Sequence, residues 1–256
     1  MQQKQDQWAW QWDHVDYDNE WLFRDWIAPN TIDYFQGKTV LDCGAGSGQH
    51  FDMVAPKARS IMAVDLNISG RAKERAAAHT NVTLKEADLA AMDLGSSFDI
   101  AYCIGVLHHT DDPHATFANI KKHVAPGGRL ILWVYSKEGN ALNQYVLEPI
   151  KTLFVRWLPR RIVLGIAWIL TALLTIPIYT IYLLPLRFLP FYEYFQNWRK
   201  LSFRMNMLNV FDKLNAPQTW FLTEQDLRKL FNEQEFTDIH ISPYRGVSWR
   251  GSGTKR

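Results

Sequence analysis

The run Val40-Leu41-Asp42-Cys43-Gly44-Ala45-Gly46-Ser47-Gly48 constrains this chain more than any other. An apolar, strand-like stretch ends near an acidic residue, and three glycines at alternate positions then turn the backbone toward a helix. Glycine is needed where a chain bends tightly and approaches a bound molecule with no Cβ in the way. A dinucleotide fold would space its glycines G-x-G-x-x-G, but Gln49 stands where that third glycine belongs. Asp42, two places before the first glycine, would repel a pyrophosphate and attract a cationic ligand.

Around this run, short β-like segments alternate with helical ones. The strands read as Thr39–Cys43, Ser60–Asp65, Val82–Glu86, Phe98–Cys103 and Arg129–Val134. Helices are expected over Ser69–His79 and Pro113–Val124, the latter closed by Pro126-Gly127-Gly128. Strict alternation implies right-handed βαβ units, hence an open, mostly parallel sheet with helices on both faces. Ligands of such sheets sit beyond the strand C-termini. The pattern lapses after Val134 and resumes at Thr223, an N-cap followed by Glu224-Gln225-Asp226 and a helix to about Asn232. Two further β-like runs, Asp238–Ser242 and Gly246–Arg250, are expected to complete the sheet as an antiparallel pair. The division is therefore an aromatic segment over 1–35, one domain built from 36–135 and 220–256, and an insertion over 136–219.

With these motifs in this order, the sequence resembles the class I S-adenosylmethionine-dependent methyltransferases, in the broad group whose small-molecule members include quinone methylases. The resemblance covers about residues 36–135 and 220–250. It implies a seven-stranded Rossmann-like sheet and S-adenosylmethionine as cofactor. Asp65, in Ala63-Val64-Asp65-Leu66-Asn67, matches the carboxylate that accepts both ribose hydroxyls, as one ionised carboxylate facing two donors does well. Asp88, in Glu86-Ala87-Asp88-Leu89, matches the acidic residue near the adenine amino group. Phe98–Cys103 followed by Val106-Leu107-His108-His109 matches the fourth-strand motif, and Pro126-Gly127-Gly128-Arg129-Leu130 the turn before strand five. The cofactor-binding set so implied is Asp42, Gly44, Ala45, Gly46, Gly48, Asp65, Leu66, Asp88, Leu89, Cys103 and Ile104. His108 and His109 follow the fourth strand, at the mouth of the cleft. His109 is the expected general base, with His108 beside it, because histidine titrates near neutral pH. The competing role for either is packing or a hydrogen bond to the backbone.

Other features are narrower in what they imply. A formal charge of +2 and the lack of a Lys/Arg tract argue against a nucleic-acid partner. Cys43 and Cys103 fall inside core strands and read as buried hydrophobes. No second Cys or His stands at zinc spacing from them, so no metal is expected. The run from His108 to His114 reads as a capping turn, with Asp111 or Asp112 before Pro113.

The insertion holds the strongest apolar signal. Ile162–Leu186 has no charged residue and is bounded by Arg160-Arg161 and Arg187. As one helix it would extend about 37 Å, enough to cross a hydrocarbon core of about 30 Å. Yet both of its ends must return to one sheet, and Pro177 and Pro185 would free backbone groups that lipid cannot satisfy. A helical hairpin or pair of helices entering one leaflet is expected. Basic residues on both flanks, from Lys151 to Arg161 and from Arg187 to Arg204, would meet anionic headgroups, and Tyr179, Tyr182, Tyr192, Tyr194 and Trp198 suit the interfacial layer. A lid core or a dimer interface is the soluble alternative. Trp8, Trp10, Trp12, Tyr17, Trp21 and Trp26 make the N-terminal segment aromatic and suggest a lid on the cofactor, an aromatic substrate site or plain packing. No signal peptide is read at the start, which would place the protein on the cytoplasmic side of a membrane, monotopic or peripheral. The expected function is methylation of a hydrophobic small molecule, quinone-like or another lipid, at oxygen, with carbon and nitrogen open. The alternatives are a soluble natural-product or sugar methyltransferase with an apolar lid, and a noncatalytic scaffold for a membrane enzyme.

Overall fold

A computed structural model describes Trp8, residues 10–14 and residues 20–256. Of the N-terminal aromatic segment, Tyr17 lies outside the described residues. The strands are β1 (Thr39–Cys43), β2 (Ser60–Asp65), β3 (Val82–Glu86), β4 (Phe98–Ile104), β5 (Val124–Tyr135), β6 (Phe236–Tyr244) and β7 (Ser248–Lys255). They form one seven-stranded sheet in the order β3-β2-β1-β4-β5-β7-β6. β1 to β5 are parallel, and β7 runs antiparallel to both β5 and β6. The expected mixed sheet, with its antiparallel pair at the end, is the one observed.

Because a parallel sheet is covered on both faces, its strands are apolar on both sides. Leu41, Cys43, Ala101, Cys103, Leu130 and Leu132 point into one layer, against Phe117, Leu227 and Phe231. Val40, Ile61, Ala63, Ile100 and Tyr102 point into the other, against Phe23, Ile27, Phe51 and Val54. The helices, in chain order, are α1 (Glu20–Ile27), α2 (Gln49–Val54), α3 (Gly70–Ala77), α4 (Pro113–Lys122), α5 (Glu148–Leu153), α6 (Arg160–Ile178), α7 (Tyr192–Trp198), α8 (Phe203–Asn215) and α9 (Glu224–Leu230). Their starts follow the capping rules. Asp112 accepts the N–H groups of His114 and Ala115 ahead of Pro113, and Ser69 accepts that of Ala72. Thr223 and Asp226 form a reciprocal capping box.

Two boundaries differ from the sequence reading. Pro126-Gly127-Gly128 does not precede β5 but lies within it. The strand pairs at Phe98 with Val124, then at Ile100 with Arg129, and the residues between bulge out. Proline has no ladder N–H to offer, and Gly127 supplies the left-handed turn at φ +74°. The last strand reaches Lys255 through Gly251 and Gly253, which carry no strand propensity. A Cβ at Gly251 would stand 2.8 Å from the Phe231 ring, so these glycines make room for Phe231 and Phe236.

Between β5 and α9 the chain leaves the sheet. α6 and α8 bury Val163 and Ala167 against Met205, Leu208 and Phe211. α6 is about 28 Å long and has a mean hydropathy of 2.0, but only 22% of its apolar window is buried. Pro177 falls in its last turn, and the helix stops at Ile178. Both ends of the excursion are fastened together: Ser136 bridges Leu222, Leu222 N–H donates to Tyr135 O at 3.0 Å, and Lys137 N–H to Leu222 O at 2.9 Å. The capping box closing this excursion is a direct test of the local argument. Thr223→Ala is expected to lower stability by about 1 kcal/mol, measured as a shift in the urea midpoint at constant slope.

Candidate active site

The glycine loop is folded over the end of β2. The N–H groups of Gly44 and Ala45 both donate to Val64 O, at 2.8 and 3.1 Å. Gly46 N–H donates to Asp65 Oδ2 at 2.8 Å, and Asn67 N–H to Asp65 Oδ1 at 3.2 Å. Gly44 has φ +99°, and a Cβ there would lie 2.2 Å from Val106 Cγ2; neither the backbone nor the space admits a side chain. Burial pushes the Asp65 carboxyl up to about 6, against the pull of the backbone N–H groups of Gly46, Asn67 and Leu66.

Beyond the loop opens a cavity with about 920 Å³ of empty space, walled by Gly44, Asp65, Leu66, Asp88, Leu89 and Val106, and closed by His109, Trp8 and Trp12. Its charged walls are the carboxylates Asp65, Asp88 and Asp111, and no Lys or Arg among the described residues lines it. A pyrophosphate would be repelled on every side. A sulfonium with a ribose and an adenine suits the same walls, since carboxylates accept hydroxyl and amino protons.

The expected residues separate into two groups. Gly44, Asp65, Leu66, Asp88, Leu89 and His109 line this cavity, and Gly46 and Ile104 line the space adjoining it. Asp42, Ala45, Gly48, Cys103 and His108 present no side chain to either. Strand alternation explains two of them: Cys103 points into the core with Leu41, and Asp42 is buried beneath the loop. Burial pushes Asp42 up to about 7, Tyr102 pulls the other way, and the charge of Asp65 adds to the rise. His108 is fully buried with neither ring nitrogen hydrogen-bonded, and its ring packs 4.1 Å from that of Tyr135. Burial drives its pKa well below the histidine range, and unlike His109 it lines neither of these two spaces. His109 Nδ1 lies 3.0 Å from Gln218 O. A carbonyl can only accept, so Nδ1 carries the proton and Nε2 is the basic nitrogen. Burial also lowers the pKa of His109. Trp8 and Trp12 lie where the sequence allowed a lid on the cofactor, whereas Gly105 and Val106 were missed as wall residues, their only signal being their place directly after β4.

Residues 41–132 match the family model described as Methyltransferase domain. The match spans the glycine loop, Asp65, Asp88 and the His108-His109 pair, the same stretch that builds the cavity. The chain carries a methyltransferase domain. Curated relatives of this chain include a tRNA U34 carboxymethyltransferase of Pseudoalteromonas translucida, 31% identical over 49% of this chain and 41% of that protein. Another is a ubiquinone biosynthesis O-methyltransferase of Paraburkholderia phymatum, 32% identical over 53% of this chain and 59% of that one. The chain thus spans less than two thirds of either relative. Two solved structures share the fold. A Burkholderia thailandensis 1,6-didemethyltoxoflavin-N1-methyltransferase with S-adenosylhomocysteine has TM-score 0.52 at 16% identity, over 92% of this chain and 80% of that one. A magnesium protoporphyrin IX methyltransferase of Synechocystis has TM-score 0.51 at 18% identity, over 98% and 94%.

The cavity does not end at Val106. It continues past Gly105, Ile104 and His50 to Trp133, Tyr135 and Asp212. From there it meets a further cavity of about 710 Å³ under α7 and α8, with which it shares Leu22, Trp26, Trp133, Tyr135 and Asn209.

Gly44→Ala is expected to weaken S-adenosylhomocysteine binding at least about tenfold, roughly 1.4 kcal/mol, by calorimetry. Asp42 supplies a pH test. An ordinary aspartate ionises near 3.8, but folded Asp42 keeps its proton to about pH 7. The folded chain binds more protons between those values, so this group lowers stability as pH rises from 4 to 7, and the loss persists above. Asp42→Asn is expected to gain on the wild type between pH 5 and pH 8, read as the difference in urea midpoints.

Proposed function

We propose that this chain methylates a hydrophobic small molecule, at oxygen, while seated on the anionic face of a membrane. The observation that carries the reading is the outer surface of the insertion. Trp157 is 67% exposed and Phe188 81%, and Phe154, Ile162, Trp168, Ile169, Leu173 and Ile176 stand exposed with them. Soluble monomers rarely leave so continuous an apolar surface in water, and a core helix of the hydropathy of α6 is mostly buried. Arginines border the surface, with Arg156 stacked 4.5 Å over the Trp157 ring and Arg160, Arg161 and Arg187 nearby in sequence. Apolar and aromatic side chains ringed by cations suit an interface with acidic headgroups. Because Ser136 and Leu222 hold the two ends of the excursion together, the insertion enters and leaves from one side, as a monotopic element does.

S-adenosylmethionine, when bound, supplies a methyl group on a positively charged sulfur. The chain's part is to hold the acceptor in line and remove its proton. His109, with Nδ1 donating to Gln218 O, offers Nε2 as that base. Trp8 and Trp12 close the cavity over the cofactor side as a lid. The ubiquinone biosynthesis O-methyltransferase among the relatives supports an oxygen acceptor of quinone type. A formal charge of +2 with no basic tract weighs against tRNA as substrate.

The reading is tested with radiolabelled S-adenosylmethionine and membranes of the host, products being divided between organic solvent, water and precipitated protein. Label is expected in the organic phase, and His109→Gln is expected to reduce it by about 10²–10⁴ with S-adenosylhomocysteine binding intact. In parallel, the protein is expected to float with phosphatidylglycerol vesicles, and Trp157→Ser with Phe188→Ser to abolish flotation. A soluble monomer that ignores vesicles would remove the membrane part. A stable dimer in water would assign the apolar surface to a second copy, and label confined to water or protein would remove the lipid acceptor.

A further inference from the structure

The cavity under α7 and α8 is lined by two amides whose oxygens nothing in the fold uses. Asn197 is 6% exposed and Asn206 3%. Each amide nitrogen is engaged: Asn197 Nδ2 donates to Tyr244 Oη at 2.7 Å, and Asn206 Nδ2 to Trp198 O at 2.9 Å. Each amide oxygen is buried with no partner, and both residues line the cavity. Leaving two buried acceptors unpaired costs free energy that folding alone does not return. Lys213 lines the same space. Its Nζ donates to Tyr194 Oη at 3.2 Å and stands 5.1 Å from the Tyr194 ring centre and 5.5 Å from that of Tyr135. Among the described residues no carboxylate lies within ion-pair distance of it. Three ammonium protons can serve both tyrosines and still leave one for a ligand oxygen. Trp26, Trp133 and Trp198 supply flat apolar walls, and Trp26 and Trp133 stack at 4.7 Å.

We infer that this cavity is the methyl-acceptor site, that its ligand is a planar hydroxylated aromatic ring, and that Lys213 holds one ring oxygen as its anion while Asn197 and Asn206 accept protons from two other donors. The inference rests on the methyltransferase reading and names the acceptor chemistry within it. A fixed cation is what the site requires. Burial opposes the charge of Lys213, but Tyr135 on β5, Tyr194 on α7 and Asp212 on its own helix outweigh it and hold its pKa above the ordinary lysine value. Tyr244 and Arg245 line the same space, and burial lowers the pKa of His108, the further titratable group near it. An ammonium in this place pairs with the oxygen anion and lowers the pKa of the bound hydroxyl, so that more of the acceptor is ionised at a given pH. Lys213 is thus a specificity-determining residue, selecting acidic hydroxyls over aliphatic alcohols.

The test uses the full chain saturated with S-adenosylhomocysteine and 4-nitrocatechol as probe, whose ionisation is visible by absorbance. On the wild type the bound probe is expected to ionise about one pH unit below the free probe, a tenfold shift. Lys213→Met is expected to abolish that shift and weaken binding about tenfold, and Lys213→Arg to retain much of it. Asn206→Leu is expected to weaken binding without moving the ionisation. The wild-type measurement stands even where a variant fails to fold: a bound probe that ionises as it does in water overturns the inference. So does a wild type that binds S-adenosylhomocysteine but not the probe, or an unchanged shift in Lys213→Met. A wild type that binds no S-adenosylhomocysteine overturns the methyltransferase reading itself, and this inference with it.

Discussion

The hydrogen bond from Gly46 N–H to the Asp65 carboxylate is the contact on which the site depends. It ties the loop after β1 to the end of β2, so the two central strands present one fixed edge. That edge is a cavity wall only because Gly44 can pass within van der Waals reach of Val106. The carboxylate pays for its burial with a raised pKa, and the backbone N–H groups around it limit that rise. A group so placed both braces the loop and lines the cavity.

From this edge the structure extends in two directions. Toward the N-terminus, Trp8 and Trp12 cover the cavity, and Gln11 fastens that segment to α8 through Asp212 and Asn215. Toward the insertion, Trp133 and Tyr135 at the end of β5 lead into the space under α7 and α8. The same excursion that leaves the sheet with apolar side chains exposed also brings an ammonium and two amides to that space.

Much of the domain was legible because its signals are local. Asp112, Ser69 and Thr223 cap their helices where their own side chains reach the next turn. The β1–glycine-loop run demands its geometry whatever surrounds it. The sequence misled where a neighbour decided: Pro126-Gly127-Gly128 reads as a turn, yet pairing with β4 draws it into β5 as a bulge. Gly251 and Gly253 read as a weak tail, yet the rings of Phe231 and Phe236 need the space they leave.

The sequence by itself determined the sheet order's raw material, the glycine loop, the carboxylates at Asp65 and Asp88, and an insertion too apolar to be a simple connection. These follow from residue type and spacing along a few turns of chain. Only the tertiary structure decided that His109 faces the cavity while its neighbour His108 is buried, and that Lys213, Asn197 and Asn206 gather about one space. Adjacent residues are separated by backbone direction, and residues far apart in sequence are joined by packing; neither is written in spacing alone.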